Sequence, residues 1–243
     1  MSRGLALTRV ALRDVLSAVP LVALYVGLVL IVTALNAAIV GHFAVGPAVA
    51  AGDPHAVGGA LSLAAYFAAF VSAGMGYSVL LVVPLTRAQA TGQVTSLLAT
   101  PVGPRRYWRA RAAALWLPGL AAGVVAPLGV LAALRWLAVP ATVDVALDGW
   151  LMLATFVAVP LTYVGVSLVV NAVALTASPN TGNVIGIIFY AAGSSLMGQL
   201  LGRGALTTQA FWWVNAALAT VALVAGAVVS VRVQAERMVL ACR

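Results

Sequence analysis

A chain of 243 residues that is 63% hydrophobic and 7% charged, with a mean hydropathy of +1.09, lies far from the roughly 25% charged residues of a globular domain. That composition places it in lipid and excludes a soluble ATPase, kinase or nucleic-acid-binding domain within it. The net charge of +8 does not bring nucleic acid back as a partner, because the basic residues flank apolar stretches and gather on no folded, water-facing patch.

In chain order, residues 1–18 come first. Leu5, Leu12, Val15 and Leu16 fall on one side of a helix with Arg9 and Arg13 beside them, the pattern of an interfacial segment. A plain positive flank to the first span accounts for the arginines equally well. Six apolar stretches follow, over 19–40, 60–85, 112–134, 149–173, 183–201 and 211–231. Each can cross a hydrocarbon core about 30 Å thick, which takes about 20 helical residues. In lipid they must satisfy their own backbone hydrogen bonds, and they lack the alternation of barrel strands, so the predicted fold class is all-α, a polytopic protein with six transmembrane helices. No small-residue cleavage site follows a short apolar core in the first stretch, so it reads as a span and not as a signal peptide. Residues 41–59 are predicted to be the longest outer loop. Residues 1–243 read as a single transmembrane domain.

Arginine placement orients the bundle. Arg3, Arg9 and Arg13 precede the first stretch, Arg87, Arg105, Arg106, Arg109 and Arg111 lie between the second and third, and Arg232, Arg237 and Arg243 follow the sixth. Only Arg135 and Arg203 fall on the other side, which predicts that the N- and C-termini are both cytoplasmic. Pairs such as Gly119/Gly123, Gly182/Gly186 and Gly198/Gly202 have the small-residue spacing that lets helix backbones approach.

Several chemistries are removed by what is missing. All 13 basic residues are arginine, so neither a Schiff-base lysine nor the lysine of a phosphate-binding loop is available. Gly41 and Gly46 have the glycine spacing of that loop, but Pro47 and Ala48 occupy the Lys and Ser/Thr positions. The sole cysteine, Cys242, allows neither an internal disulfide nor a multi-cysteine metal site. Gly165-Val166-Ser167 lacks the glycine that completes a nucleophile elbow, and no histidine in a span could activate the serine. The chain is therefore expected to be no enzyme, with no catalytic residue and no metal. His42, Asp53 and His55 share the first outer loop but have no tight ligand spacing, and solvated loop residues are their simpler reading.

No ionisable residue falls at the centre of a stretch, which weighs against ion-coupled carriers. Asn36, Tyr163, Asn171, Tyr190 and Asn215 are the polar side chains available there. They suit interhelical hydrogen bonds or, alternatively, the lining of a substrate path. Most tryptophans, including Trp116, lie toward span ends and read as interfacial anchors.

The inner loop over 86–111 carries five arginines and an apolar set that a connector does not require. Gly92 is a break, and a short helix from Gln93 would put Val94, Leu97 and Leu98 on one face at i, i+3 and i+4, ending at Pro101 and Pro104. Such a face can enter a partner's groove or pack under the membrane domain, and periodicity admits both.

The run Gly92-Gln93-Val94-Thr95-Ser96-Leu97-Leu98-Ala99-Thr100-Pro101-Val102 resembles the signature of ABC-2 type transporter permeases, the membrane subunits of ATP-driven exporters. The family's Leu-Leu-x-Thr-Pro run falls on Leu97 to Pro101, between the second and third spans as in the family. The family's acidic-basic cluster falls on the uncharged Ala88, Gln89 and Ala90, and Gln93 stands for its usual threonine. The resemblance implies that Gly92, Val94, Leu97, Leu98, Thr100 and Pro101 couple the chain to a separate ABC ATP-binding subunit, which holds ATP and Mg. It implies no cofactor in this chain, pairing with a second permease copy or similar subunit, a place in the cell membrane, and export of an amphipathic molecule. It also likens residues 1–18 to the interfacial helix before the first span. An ATP-independent secondary carrier or channel is the alternative, and a further one is an assembly or enzyme-like role built on His42, Asp53 and His55.

Overall fold

The computed structural model describes residues 3–76, 79–80, 83–98, 103–202 and 205–233. Among these the fold is all-α, with six helical spans long and apolar enough to cross a membrane. Helix α1 (Arg3–Ser17) ends at Ala18, whose φ of −78° and ψ of 65° break the ladder. Pro20, with no N–H to donate, then sits in the first turn of α2 (Val19–Val40), where that loss costs nothing.

The predicted outer loop over 41–59 is not a loop. The first span continues from α2 through a wide turn, Gly41–Val45, into α3 (Gly46–Ala50), leaving only residues 51–53 to reverse the chain. The cause is local. In a regular helix the Pro47 ring would collide with the Phe43 carbonyl, but the wide turn, closed by the Gly46 N–H donating to the Gly41 carbonyl, relieves that collision. The fourth span repeats the device: α8 (Gly149–Leu153) passes through Ala154–Ala158, closed by Val159 N–H to Ala154 O, into α9 (Val159–Thr176) with Pro160 as its second residue. Pro47 and Pro160 are thereby carried inside membrane-length helices.

Helix α4 (Pro54–Gly76) starts earlier and ends earlier than the predicted span over 60–85, because Val83 to Leu85 belong to a separate helix, α5 (Val83–Ala90). Next come α6 (Gln93–Leu98) and the 34-residue α7 (Pro104–Leu137). At 1.5 Å per residue α7 is about 51 Å long, so it outreaches a core of about 30 Å. Arg105, Arg106, Arg109 and Arg111 therefore ride on its projecting first turns and not on a loop. Helices α10 (Pro179–Gly202) and α11 (Thr208–Arg232) complete the bundle, the latter capped by the Thr207 hydroxyl accepting from Ala210 N–H.

Helices α4, α7 and α9 form the centre, with α2, α10 and α11 around them and α1 laid against α7. The peripheral helices show apolar side chains outward, among them Leu30, Ile31, Ile188 and Val221, each more than half exposed, as a lipid-facing surface requires. Tyr66 and Phe70 of α4 pack with Tyr190 of α10 and Phe211 of α11 in one aromatic cluster.

Candidate functional site

Asp53, Asp148 and Arg135, opposite the arginine-rich end, have structural partners. Asp53 accepts from the N–H groups of His55 and Ala56 and caps α4. Asp148 caps α8 through Trp150 and Leu151 N–H, while its own N–H donates to Ser62 Oγ. Arg135 donates to the carbonyls of Val139 and Pro140. His42 lies in the wide turn of the first span, edge-on to Phe43, while His55 stands in the first turn of α4. Among the described residues no three His, Cys, Asp or Glu side chains are placed to share a metal.

Of the five polar residues offered for a substrate path, four bind helices together or brace their own. Asn36 Nδ2 donates to Ala64 O at 2.8 Å, joining α2 to α4. Tyr163, wholly buried, donates to Leu115 O at 2.9 Å, joining α9 to α7. Asn171 Nδ2 donates to Trp108 O at 3.1 Å across the same pair, and among the described residues its buried Oδ1 has no partner. Asn215 accepts from Tyr66 Oη at 2.7 Å and donates to Phe211 O of its own helix. Tyr190 is buried against Phe70 and Phe189. Asn36, Tyr163, Asn171 and Asn215 thus make the interhelical hydrogen bonds that polar side chains readily form where water is absent.

Sequence reasoning missed three contributors to this lattice. Tyr25 donates to Ser72 O, joining α2 to α4. Trp108 Nε1 donates to Leu168 O, and Trp116 Nε1 donates to Ser167 Oγ at 2.7 Å, both joining α7 to α9. Trp116 is thus no interfacial anchor, whereas Trp136 and Trp213, 89% and 61% exposed, have the exposure of one. Asn215→Leu leaves the Tyr66 hydroxyl buried and unpaired, and it is expected to cost about 1–2 kcal/mol. Earlier thermal unfolding in detergent would report this, with part of the loss recovered when Tyr66→Phe is added.

The segment between the second and third spans is built from α5, a turn and α6. Gly92 has φ +69°, a left-handed conformation that favours glycine, and its carbonyl accepts from Ser96 N–H to open α6. Val94 is fully buried, while Gln93 and Ser96 are exposed. Of the two roles periodicity admitted for the apolar face, Val94 takes the packing one: it anchors α6 to the bundle. Leu97 and Leu98 close the helix, and Thr100 and Pro101 lie outside the described residues. Around this segment Arg9, Arg13, Arg105, Arg106 and Arg109 are all exposed, so one end of the bundle carries a concentrated positive field.

No protein-family model matches the chain, and neither does any curated protein or solved structure.

Proposed function

We propose that the chain is the membrane-spanning permease subunit of an ATP-driven exporter of ABC-2 type, worked by a separate ATP-binding subunit that docks between the second and third spans. The observation that carries this reading is α6. It is a short helix, set off by the left-handed Gly92, in the run that resembles the family's coupling segment, and it sits at the arginine-rich end with Gln93 and Ser96 exposed. Arginine-rich flanks stay cytoplasmic, so that end faces the cytoplasm and an ATPase there has access to nucleotide.

In this mechanism nucleotide binding draws two ATPases together, α6 moves with the subunit that grips it, and Val94 passes that movement into the spans. The wide turns before Pro47 and Pro160 lie within the first and fourth spans and supply places where those helices bend. A second permease copy or a similar subunit completes the pathway in the cell membrane, and the cargo is amphipathic. The chain itself makes and breaks no bonds, since hydrolysis takes place in the partner.

The test is purification of the tagged chain in mild detergent from the cell that makes it. An ATP-hydrolysing subunit should co-elute and be lost when residues 93–98 are replaced by a Gly/Ser linker. Vesicles holding the chain alone that drive steady uphill transport under an ion gradient would overturn the proposal in favour of a secondary carrier.

A further inference from the structure

A cavity of about 660 Å³ opens at the arginine-rich end where α1, the start of α2, α5, α6 and the first turns of α7 meet. That volume lies within the roughly 300–1,000 Å³ of small-molecule sites. Val15, Leu21, Pro84 and Ala88 give it apolar walls, and among the described residues its charged lining is of opposite sign, Asp14 from α1 and Arg111 from α7. Arg111 donates through Nη1 to Tyr107 Oη at 3.2 Å, and among the described residues its buried Nε–H has no partner.

We infer that this cavity binds the headgroup of an amine-bearing phospholipid, with the phosphate on Arg111, the ammonium on Asp14 and the first acyl carbons along Val15 and Leu21. The chemistry of the walls selects this occupant. A guanidinium fork matches phosphate oxygens. A purely anionic headgroup would set a second negative charge beside Asp14, and a purely cationic one would face Arg111. The exposed Arg9, Arg13, Arg105, Arg106 and Arg109 draw phosphate to the mouth. Helix α1, amphipathic and flanked by Arg9 and Arg13, has the pattern of a segment at headgroup depth and forms one wall. Because Pro84, Ala88 and Gln93 also line the cavity, a bound lipid touches both α5 and α6 and holds that segment against the bundle. The site rests on membrane embedding alone and does not depend on the ATP-driven reading.

The test is native mass spectrometry of the full chain extracted from vesicles containing equal amounts of phosphatidylethanolamine, phosphatidylglycerol and phosphatidylcholine. The intact chain should retain phosphatidylethanolamine in preference to phosphatidylglycerol. Arg111→Gln should lower retention of both by about tenfold, the effect of losing a charge-assisted hydrogen bond. Asp14→Asn should abolish the preference while keeping retention. Ala11→Trp, which fills the cavity from α1, should empty it even if Arg111→Gln fails to fold. Asp144→Asn, exposed and outside the cavity lining, should change nothing. Phosphatidylglycerol retained above phosphatidylethanolamine by the intact chain would overturn the role of Asp14. Equal retention by the intact chain and the Ala11→Trp variant, or displacement of the lipid by millimolar inorganic phosphate, would overturn the site.

Discussion

Gly165→Val is expected to prevent recovery of a monodisperse, helical protein, whereas Gly123→Ala should be accepted with little change. A Cβ at Gly165 would stand 2.5 Å from the Ala222 carbonyl carbon and 2.6 Å from the Leu223 nitrogen, and both are backbone atoms of α11. Across the crossing, a Cβ at Gly226 would meet Leu168 Cβ at 2.9 Å and Gly165 O at 3.2 Å. Each helix thus contributes a glycine where the two backbones touch, and neither can yield by rotating a side chain. In lipid no hydrophobic drive holds helices together, so association depends on this close fit. Overpacking typically costs about 1–3 kcal/mol and more where backbone must move, and a branched residue against two backbone atoms lies at the upper end. Gly119 gives an intermediate case. Its Cβ would overlap the Tyr163 hydroxyl, a side-chain end that can move only by giving up its hydrogen bond to Leu115 O. Gly123 meets only Ala73 Cβ at 4.0 Å. Size-exclusion profiles and thermal unfolding in detergent should therefore rank Gly165→Val worst, Gly119→Ala next and Gly123→Ala nearest the parent. Equal behaviour of Gly165→Val and Gly123→Ala would show that α9 and α11 do not cross where described.

The contrast between Gly165 and Gly123 marks how far the sequence could be read. Continuous apolarity over about 20 residues has one physical solution in lipid, so the number of spans and the all-α class are legible from composition and length. The ends of the first span are not. Gly41, Gly46 and Pro47 read as loop formers, and the wide turn that carries the helix on to Ala50 leaves no mark in local composition. Spacing picks out Gly119 and Gly123 as an equal pair, yet only Gly119 faces an obstruction, because which side of α7 meets α9 is settled by tertiary packing. The Gly165–Gly226 contact joins residues from two spans and has no local signature at all. Asn36, Asn171 and Asn215 stand out by type, while the choice between glue and path needed their partners, carbonyls and a hydroxyl on neighbouring elements. For the coupling segment, helix, break and position were legible in Gly92 and the i, i+3, i+4 pattern. The inward burial of Val94 was not, since periodicity defines a face without saying what covers it.

That burial of Val94 separates anchoring from docking, and the two should respond differently to mutation. Val94→Asp places a carboxylate at a fully buried position. Without compensation such a group costs several kcal/mol, and the cheapest response is for the short α6 to leave the bundle. A helix of six residues has little stability of its own once its packing is lost. The six spans draw their packing from elsewhere, chiefly α4, α7, α9 and α11, so membrane insertion and the monodisperse profile should survive. Expected, then, on the proposed reading, is a folded bundle with which an ATP-hydrolysing subunit and its activity no longer co-elute. Ser96→Trp works from the opposite side: it adds bulk to an exposed position of α6 and touches no core contact. It should leave thermal unfolding within about 0.5 kcal/mol of the parent, as surface changes do, while weakening co-elution of the ATPase. Co-elution lost with Val94→Asp but kept with Ser96→Trp would put the docking face on another side of the segment. Co-elution kept in both would count against α6 as the proposed docking element.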